Sequence, residues 1–415
     1  MVKILLYVGL VITPFYELLA KALPYVVAIP PDTRVAKLFL AMWFALMIGV
    51  AACFSGELRP CRNKWLLLLL VYIPLNISLS PPFDIELNGV LTPSYWVWKP
   101  FVLTLCFFLM FMAVQSLNIT RRNLETLFKV MVWCGFVMSC YVLIQDFGWE
   151  QFYDIRTGGK DNILFHAVTK PMTVGTLGNS TIVSPYIAML IPLALHLRKY
   201  FMAVVMILAV CLTWSMVAVI SMVLSLAVYA LLTWRSKGLI VILILALVSS
   251  AGLSWWRFLD YKHFTKVSSK AISNNGRFSV WKTSIELLKD EKFGAKNKTK
   301  QTYTGIGLGS YPFLITPKTG DKFSQAHNEY IETLVTLGPI GLALLLAAIG
   351  YMLRNAFFAY LSYADGEVAA LLCSFICIAV AAFGTFVWQL APHNFYTVLI
   401  AGLLHNRNLI KGEVQ

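Results

Sequence analysis

The stretch Tyr200–Trp234, YFMAVVMILAVCLTWSMVAVISMVLSLAVYALLTW, holds no charged residue, no proline and no glycine. A helix needs about 20 apolar residues to cross the hydrocarbon core of a bilayer. The block is too long for one such helix and too short for two with a loop between them. It reads as two spans joined by a tight turn near Trp214-Ser215.

Similar runs recur on both sides: Ile4–Leu23, Val35–Phe54, Trp65–Leu79, Trp96–Val114, Leu127–Phe147 and Thr181–Leu197 before it, then Ile240–Phe258, Tyr330–Met352, Val368–Trp388 and Phe395–Leu404. The 415 residues are 59% hydrophobic and only 13% charged, whereas soluble domains run near ~45–50% and ~25%. These values exclude a soluble enzyme, and the recurrence excludes a soluble domain on a single anchor. The expected fold is an all-α, polytopic transmembrane bundle of about twelve spans, one membrane domain over residues 1–415. The first run continues into Pro14, Glu17 and Lys21 with no small-residue cleavage site, so it reads as a retained span rather than a signal peptide. Of the eight cysteines, most lie in apolar runs and read as packing residues. Cys373 and Cys377 share a helical face, but no histidine or carboxylate joins them.

Lys and Arg in the short loops set the orientation. They follow the even-numbered spans: Arg59, Arg62 and Lys64; Arg121 and Arg122; Arg198 and Lys199; Arg235 and Lys237; Arg354; Arg407 and Lys411. The turn near Ser215 and the Gln389–His393 connection carry none. Both termini are therefore expected on the cytoplasmic side. Two longer loops fall outside: residues 148–180, and residues 260–327 between spans nine and ten. The larger one carries Lys262, Lys266, Lys270, Arg277, Lys282, Lys289, Lys292, Lys296, Lys298, Lys300, Lys318 and Lys322 against Asp260, Glu286, Asp290, Glu291 and Asp321. Long loops translocate regardless of charge. So many bases point to an anionic partner, phosphate groups or anionic lipid head groups; for Lys296–Lys300 a solvated run on an acidic bilayer is the preferred reading.

Within that loop Phe278, Trp281, Ile285 and Leu288 form a helical stripe. The spacing predicts a short amphipathic helix at the membrane surface, capped by an Asn of Asn274-Asn275, with Arg277 in its first turn. Arg277 there either grips phosphate with its planar fork or snorkels to head groups. Gly305-Ile306-Gly307-Leu308-Gly309-Ser310-Tyr311 is not a dinucleotide fingerprint, because no strand–helix unit surrounds it. Its alternate glycines predict a tight backbone path where a chain or ligand comes close. His327, in Gln325-Ala326-His327-Asn328-Glu329-Tyr330-Ile331-Glu332, lies at the outer mouth of the span that begins at Tyr330. An imidazole, with an ordinary pKa near ~6.5, can accept a proton at neutral pH. His196, His263 and His405 read as interfacial. His393, in Pro392-His393-Asn394, repeats the His-Asn pair on the same outer side and is a supporting candidate.

These residues together resemble the O-antigen ligase and polymerase superfamily of bacterial membrane glycosyltransferases. The resemblance rests on Gly276-Arg277-Phe278-x-x-Trp281, the Gly305–Tyr311 segment, His327–Leu334, and Leu337-Gly338-x-x-Gly341-Leu342, with a weaker match at Gly175-Thr176-Leu177-Gly178-Asn179. It implies a GT-C-like inner-membrane enzyme with its active site in the periplasm. Such an enzyme moves a glycan from undecaprenyl pyrophosphate to an acceptor hydroxyl on a glycan or lipid, with no cofactor, metal or nucleic acid. His327 matches the family's general base and Arg277 a donor-phosphate contact. Lys170 stands where relatives commonly have an Arg, and neutralises phosphate without a bidentate grip. Asn328, Tyr311 and His393 are the expected supporting residues. Ser215-Met216-Val217 replaces a Ser-Arg-Gly-like motif common in the family.

A protein O-oligosaccharyltransferase would share this donor chemistry. A lipid-linked glycan flippase is the competing class, but transporters keep ionisable or broken-helix sites near the bilayer midplane. Here the spans hold few charges, and these, Glu17 and Asp146 with Lys21, Lys37, Lys99, Lys129, Arg257 and Glu332, lie toward span ends. A scaffold without catalysis has no use for an Arg-bearing helix, a Gly-rich segment and a His-Asn pair together.

Overall fold

The computed structural model describes residues 1–22, 33–56, 58–79, 86–87, 90–91, 95–146, 180–213, 215–233, 274–288, 303–311, 315, 325–385, 387–389, 391–406 and 409. Its helices are α1 (Val2–Ala22), α2 (Thr33–Phe54), α3 (Lys64–Leu79), α4 (Tyr95–Ser116), α5 (Arg121–Asp146), α6 (Ser180–Ala188), α7 (Ile191–His196), α8 (Tyr200–Leu212), α9 (Met216–Thr233), α10 (Asn274–Leu287), α11 (Glu329–Tyr363), α12 (Gly366–Ala381) and α13 (Ala391–Leu404). A small antiparallel hairpin, Glu86–Leu87 with Val90–Leu91, is the sheet among the described residues.

The expectation of twelve spans is met only in part. Among the described residues three helices are long and apolar enough to cross a membrane: Arg121–Gln145, Met216–Thr233 and Glu329–Tyr363. Eight shorter apolar helices accompany them. The expected ninth span, Ile240–Phe258, lies outside the described residues. The apolar block Tyr200–Trp234 does divide where expected, α8 ending at Leu212 and α9 starting at Met216. The expected sixth span is two pieces, α6 and α7. Pro192, which has no N–H to continue the ladder, sits at the start of α7 just past the Met189-Leu190 turn.

The helices pack by small residues as well as large ones. A Cβ on Gly49 of α2 would come within 2.6 Å of Leu109 on α4, and one on Gly402 of α13 within 2.7 Å of Val114. Close approach of this kind is how membrane helices gain contact where lipid removes the hydrophobic drive. Leu10, Ile48, Met110, Phe128, Met131, Tyr186, Phe395 and Tyr396 fill the common core. Trp43, Leu68, Val71, Trp133, Ile220 and Leu231 remain exposed, as a lipid-facing surface requires.

One end of the bundle gathers the connections that follow α2, α4, α11 and α13. The Arg59 N–H donates to Ser116 Oγ at 2.9 Å, and Asn406 Nδ2 donates to the carbonyls of Leu117 at 2.8 Å and Val114 at 3.1 Å. Arg121 pairs with Glu367 at 3.2 Å. His405, expected at an interface, is buried here against Phe111. Arg354 departs from the expectation of a loop base. Nothing after Met352 breaks a helix, so α11 runs on through Arg354 to Tyr363, where Ala364 at φ 50° ends it and Asp365 caps α12. Hydropathy marked where the apolar run ends, not where the helix does. The other end of α11 carries His327.

Candidate active site

The site is organised by a break in α11. Pro339 has no N–H, so the carbonyl of Val335, four residues earlier, has no partner within the helix. Ile306 N–H takes that carbonyl at 2.8 Å, and Gly307 N–H takes Thr336 O at 2.9 Å. Tyr72 of α3 donates to Leu337 O at 2.9 Å, and Asn76, one turn on, donates to the carbonyl of Thr304. The Val335 and Thr336 carbonyls, freed by the break at Gly338-Pro339, thus anchor the Gly-rich segment to the helix.

That attachment needs glycine at two places. Gly338 sits at φ 72°, ψ 179°, a region closed to side chains, and Gly305 at φ 76°. A Cβ on Gly338 would lie 2.1 Å from Tyr303 O, and one on Gly305 2.5 Å from Gly338 N. The tight path expected from the alternate glycines is real, and what approaches is the broken helix itself.

On this platform rests α10. Its Val280, Ser284 and Leu287 are buried, and Leu287 joins Ile306, Tyr311, Ile315, Ala326 and Val335 in a small core apart from the main one. Of the expected stripe, Trp281 and Leu288 are half-buried, Leu288 against this small core. Ile285 is exposed, and the buried face is turned toward Val280 and Ser284. The small Ser284 lets the helix come close. Its Oγ donates to Val280 O and meets the Tyr311 hydroxyl at 2.6 Å. Burial pushes the Tyr311 phenol well above its ordinary range, partly offset by the Ser284 contact, so Tyr311 stays a neutral donor. The phenol belongs to the support of the loop.

The His-Asn pair follows. Asn328 is the N-cap of α11; its Oδ1 accepts the N–H groups of Tyr330 and Ile331, both at 3.0 Å. Glu329 N–H donates to Ala382 O at 3.0 Å and its Oε1 accepts Trp388 N–H at 2.8 Å, tying the mouth of α11 to the end of α12 and the turn after it. Glu332 reaches back to accept Ala326 N–H at 3.0 Å, while the Ala326 carbonyl accepts the Trp281 indole N–H at 2.8 Å. Between Ala326 and Asn328 stands His327, half-buried, at φ 52°. A non-glycine residue in the left-handed region is uncommon and persists where its surroundings over-determine it.

Arg277 lies in the first turn of α10, one turn before Trp281. Lys170 and the Gly175–Asn179 stretch fall outside the described residues, as does Lys296–Lys300. His393 is not in a connection. It lies in the first turn of α13, fully buried, its ring 5.9 Å from that of Tyr186. Four contributors were not marked by the sequence: Trp281 and Glu332 as holders of Ala326, and Tyr72 with Asn76 as clasps from α3. The signal for the last pair was present, since an Asn and a Pro interrupt an otherwise apolar span.

Fold and site together define a helical membrane protein in which α10 and the Gly-rich segment pack onto the broken mouth of one long helix, beside a histidine in the left-handed region. Residues 201–346, which contain α8, α9, α10, the Gly-rich segment, the His-Asn pair and the break in α11, match the family model described as O-antigen ligase. The match supports the O-antigen ligase and polymerase superfamily and implies glycosyltransferase-type activity. No curated protein matches the chain.

Proposed function

We propose that this protein transfers a glycan from undecaprenyl pyrophosphate to an acceptor hydroxyl at the periplasmic face of the bacterial inner membrane, without a metal. His327 takes the acceptor hydroxyl's proton as the new glycosidic bond forms. Arg277, helped by Lys170, steadies the pyrophosphate as it leaves. The acceptor oxygen bonds the sugar carbon, the carbon–phosphate oxygen bond breaks, and the electron pair departs with the pyrophosphate. The carrying observation is the contact of Trp281 with the Ala326 carbonyl. It joins the helix of Arg277 to the residue before His327, so the two family motifs rest on one small core. The match over residues 201–346 supports the reading independently.

The reading is tested with purified protein, an undecaprenyl pyrophosphate-linked glycan and candidate acceptors, alongside the product that accumulates when the protein is deleted. Ligase activity leaves undecaprenyl-linked polymer, polymerase activity leaves single-repeat lipopolysaccharide, and protein glycosylation leaves the bare protein. Donor that is translocated across vesicles but never cleaved would replace the enzyme reading with that of a flippase.

A further inference from the structure

His327 owes its backbone conformation to its neighbour. Ala326 is fully buried, and both its backbone polar groups are held from different directions: the N–H by the Glu332 carboxylate at 3.0 Å, the carbonyl by the Trp281 indole at 2.8 Å. On the other side, Asn328 is fixed as the cap of α11, with Glu332 N–H donating to its carbonyl at 2.9 Å. His327 is thus suspended between two anchored peptide units at φ 52°. If either grip on Ala326 fails, the chain can relax toward the common φ region and carry the imidazole away, since L side chains leave the left-handed region at a gain.

Resting on the reading of His327 as the base, we propose that Trp281 and Glu332 are positioning residues. They act on the proton transfer through Ala326, by keeping His327 in its left-handed conformation. Trp281 therefore has a second role beyond packing. It makes the placement of the base depend on α10, the helix that carries Arg277, so that base and phosphate-binding helix are set by one hydrogen bond.

Trp281→Phe keeps a ring and loses the N–H. Glu332→Ala loses the acceptor, whereas Glu332→Gln keeps an acceptor oxygen. A misplacement of about 1 Å is enough to lower a rate ~100-fold. Trp281→Phe and Glu332→Ala should each lower kcat at least tenfold, with the donor KM within about threefold, and Glu332→Gln should recover most of the loss. Ser284→Ala is the control. It removes a buried hydroxyl from the same small core without touching Ala326, and should lower the unfolding temperature in detergent while leaving kcat per folded molecule intact. The proposal is overturned if Trp281→Phe and Glu332→Ala keep wild-type kcat while His327→Ala is inactive. It is overturned equally if Ser284→Ala loses kcat as they do, since the effect is then loss of fold. Wild-type kcat in His327→Ala would instead remove the base reading itself.

Discussion

Placing a methyl group on Gly338 should destabilise the site, and by more than the same change at Gly56 or Gly350. Two effects add. The φ 72°, ψ 179° conformation is essentially closed to side chains, costing about 1–3 kcal/mol. The new Cβ would sit 2.1 Å from Tyr303 O, and relieving such an overlap by backbone shifts costs about 1–3 kcal/mol more. The shift also pulls on the bonds from Ile306 and Gly307 to the freed carbonyls, so about 4 kcal/mol is expected for Gly338→Ala. Two controls separate the contributions. Gly56 has φ 67° and nothing within 4 Å of an added Cβ, so Gly56→Ala meets strain alone, about 1 kcal/mol. Gly350 lies inside α11 with open space around it, and Gly350→Ala should be neutral or stabilising by about 0.5–1 kcal/mol. Equilibrium unfolding of the purified protein in mixed detergent micelles, followed by tryptophan fluorescence, measures all three. A Gly338→Ala protein no less stable than Gly56→Ala would refute the argument that the Gly-rich segment is built onto the break in α11.

Other outcomes follow from the same geometry. His327→Ala should lower glycan transfer by about 10²–10⁴-fold while the protein still inserts and folds, measured as product from an undecaprenyl pyrophosphate donor; His393→Ala, buried in α13, should cost less. Arg277→Lys keeps the charge but loses the bidentate fork, so transfer should fall by about tenfold, and Arg277→Ala should also raise the donor KM; unchanged kinetics would leave Arg277 a surface anchor. In a cysteine-free background, single cysteines at Lys296 should react with an impermeant reagent added from outside and those at Arg121 should not. The reverse pattern ends the proposed topology.

Much of this protein was legible in one dimension. Apolar runs of about 20 residues fit helices, because a bilayer forces backbone groups to pair within the protein and a barrel strand spans it in about 10. The division of Tyr200–Trp234 near Ser215 followed from length alone. Residue type likewise marked Gly305, because close backbone approach admits few side chains, and it singled out Arg277 and His327 as the candidates for the proposed phosphate binding and proton transfer. What the sequence could not carry was anything set by a partner distant along the chain. Hydropathy ended the tenth span at Met352, yet α11 continues to Tyr363, since helical hydrogen bonds do not depend on apolar side chains. The stripe through Ile285 was a sound amphipathic pattern, but which face of α10 is buried was decided by Ile306, Tyr311 and Ala326, segments far along the chain. The span expected over Tyr330–Met352 was unbroken, yet the helix breaks at Gly338-Pro339. That its orphaned carbonyls would hold the Gly-rich segment, and that Trp281 and Glu332 would together hold Ala326, came only from tertiary structure, because a hydrogen bond records proximity in space and leaves no period or spacing in the chain.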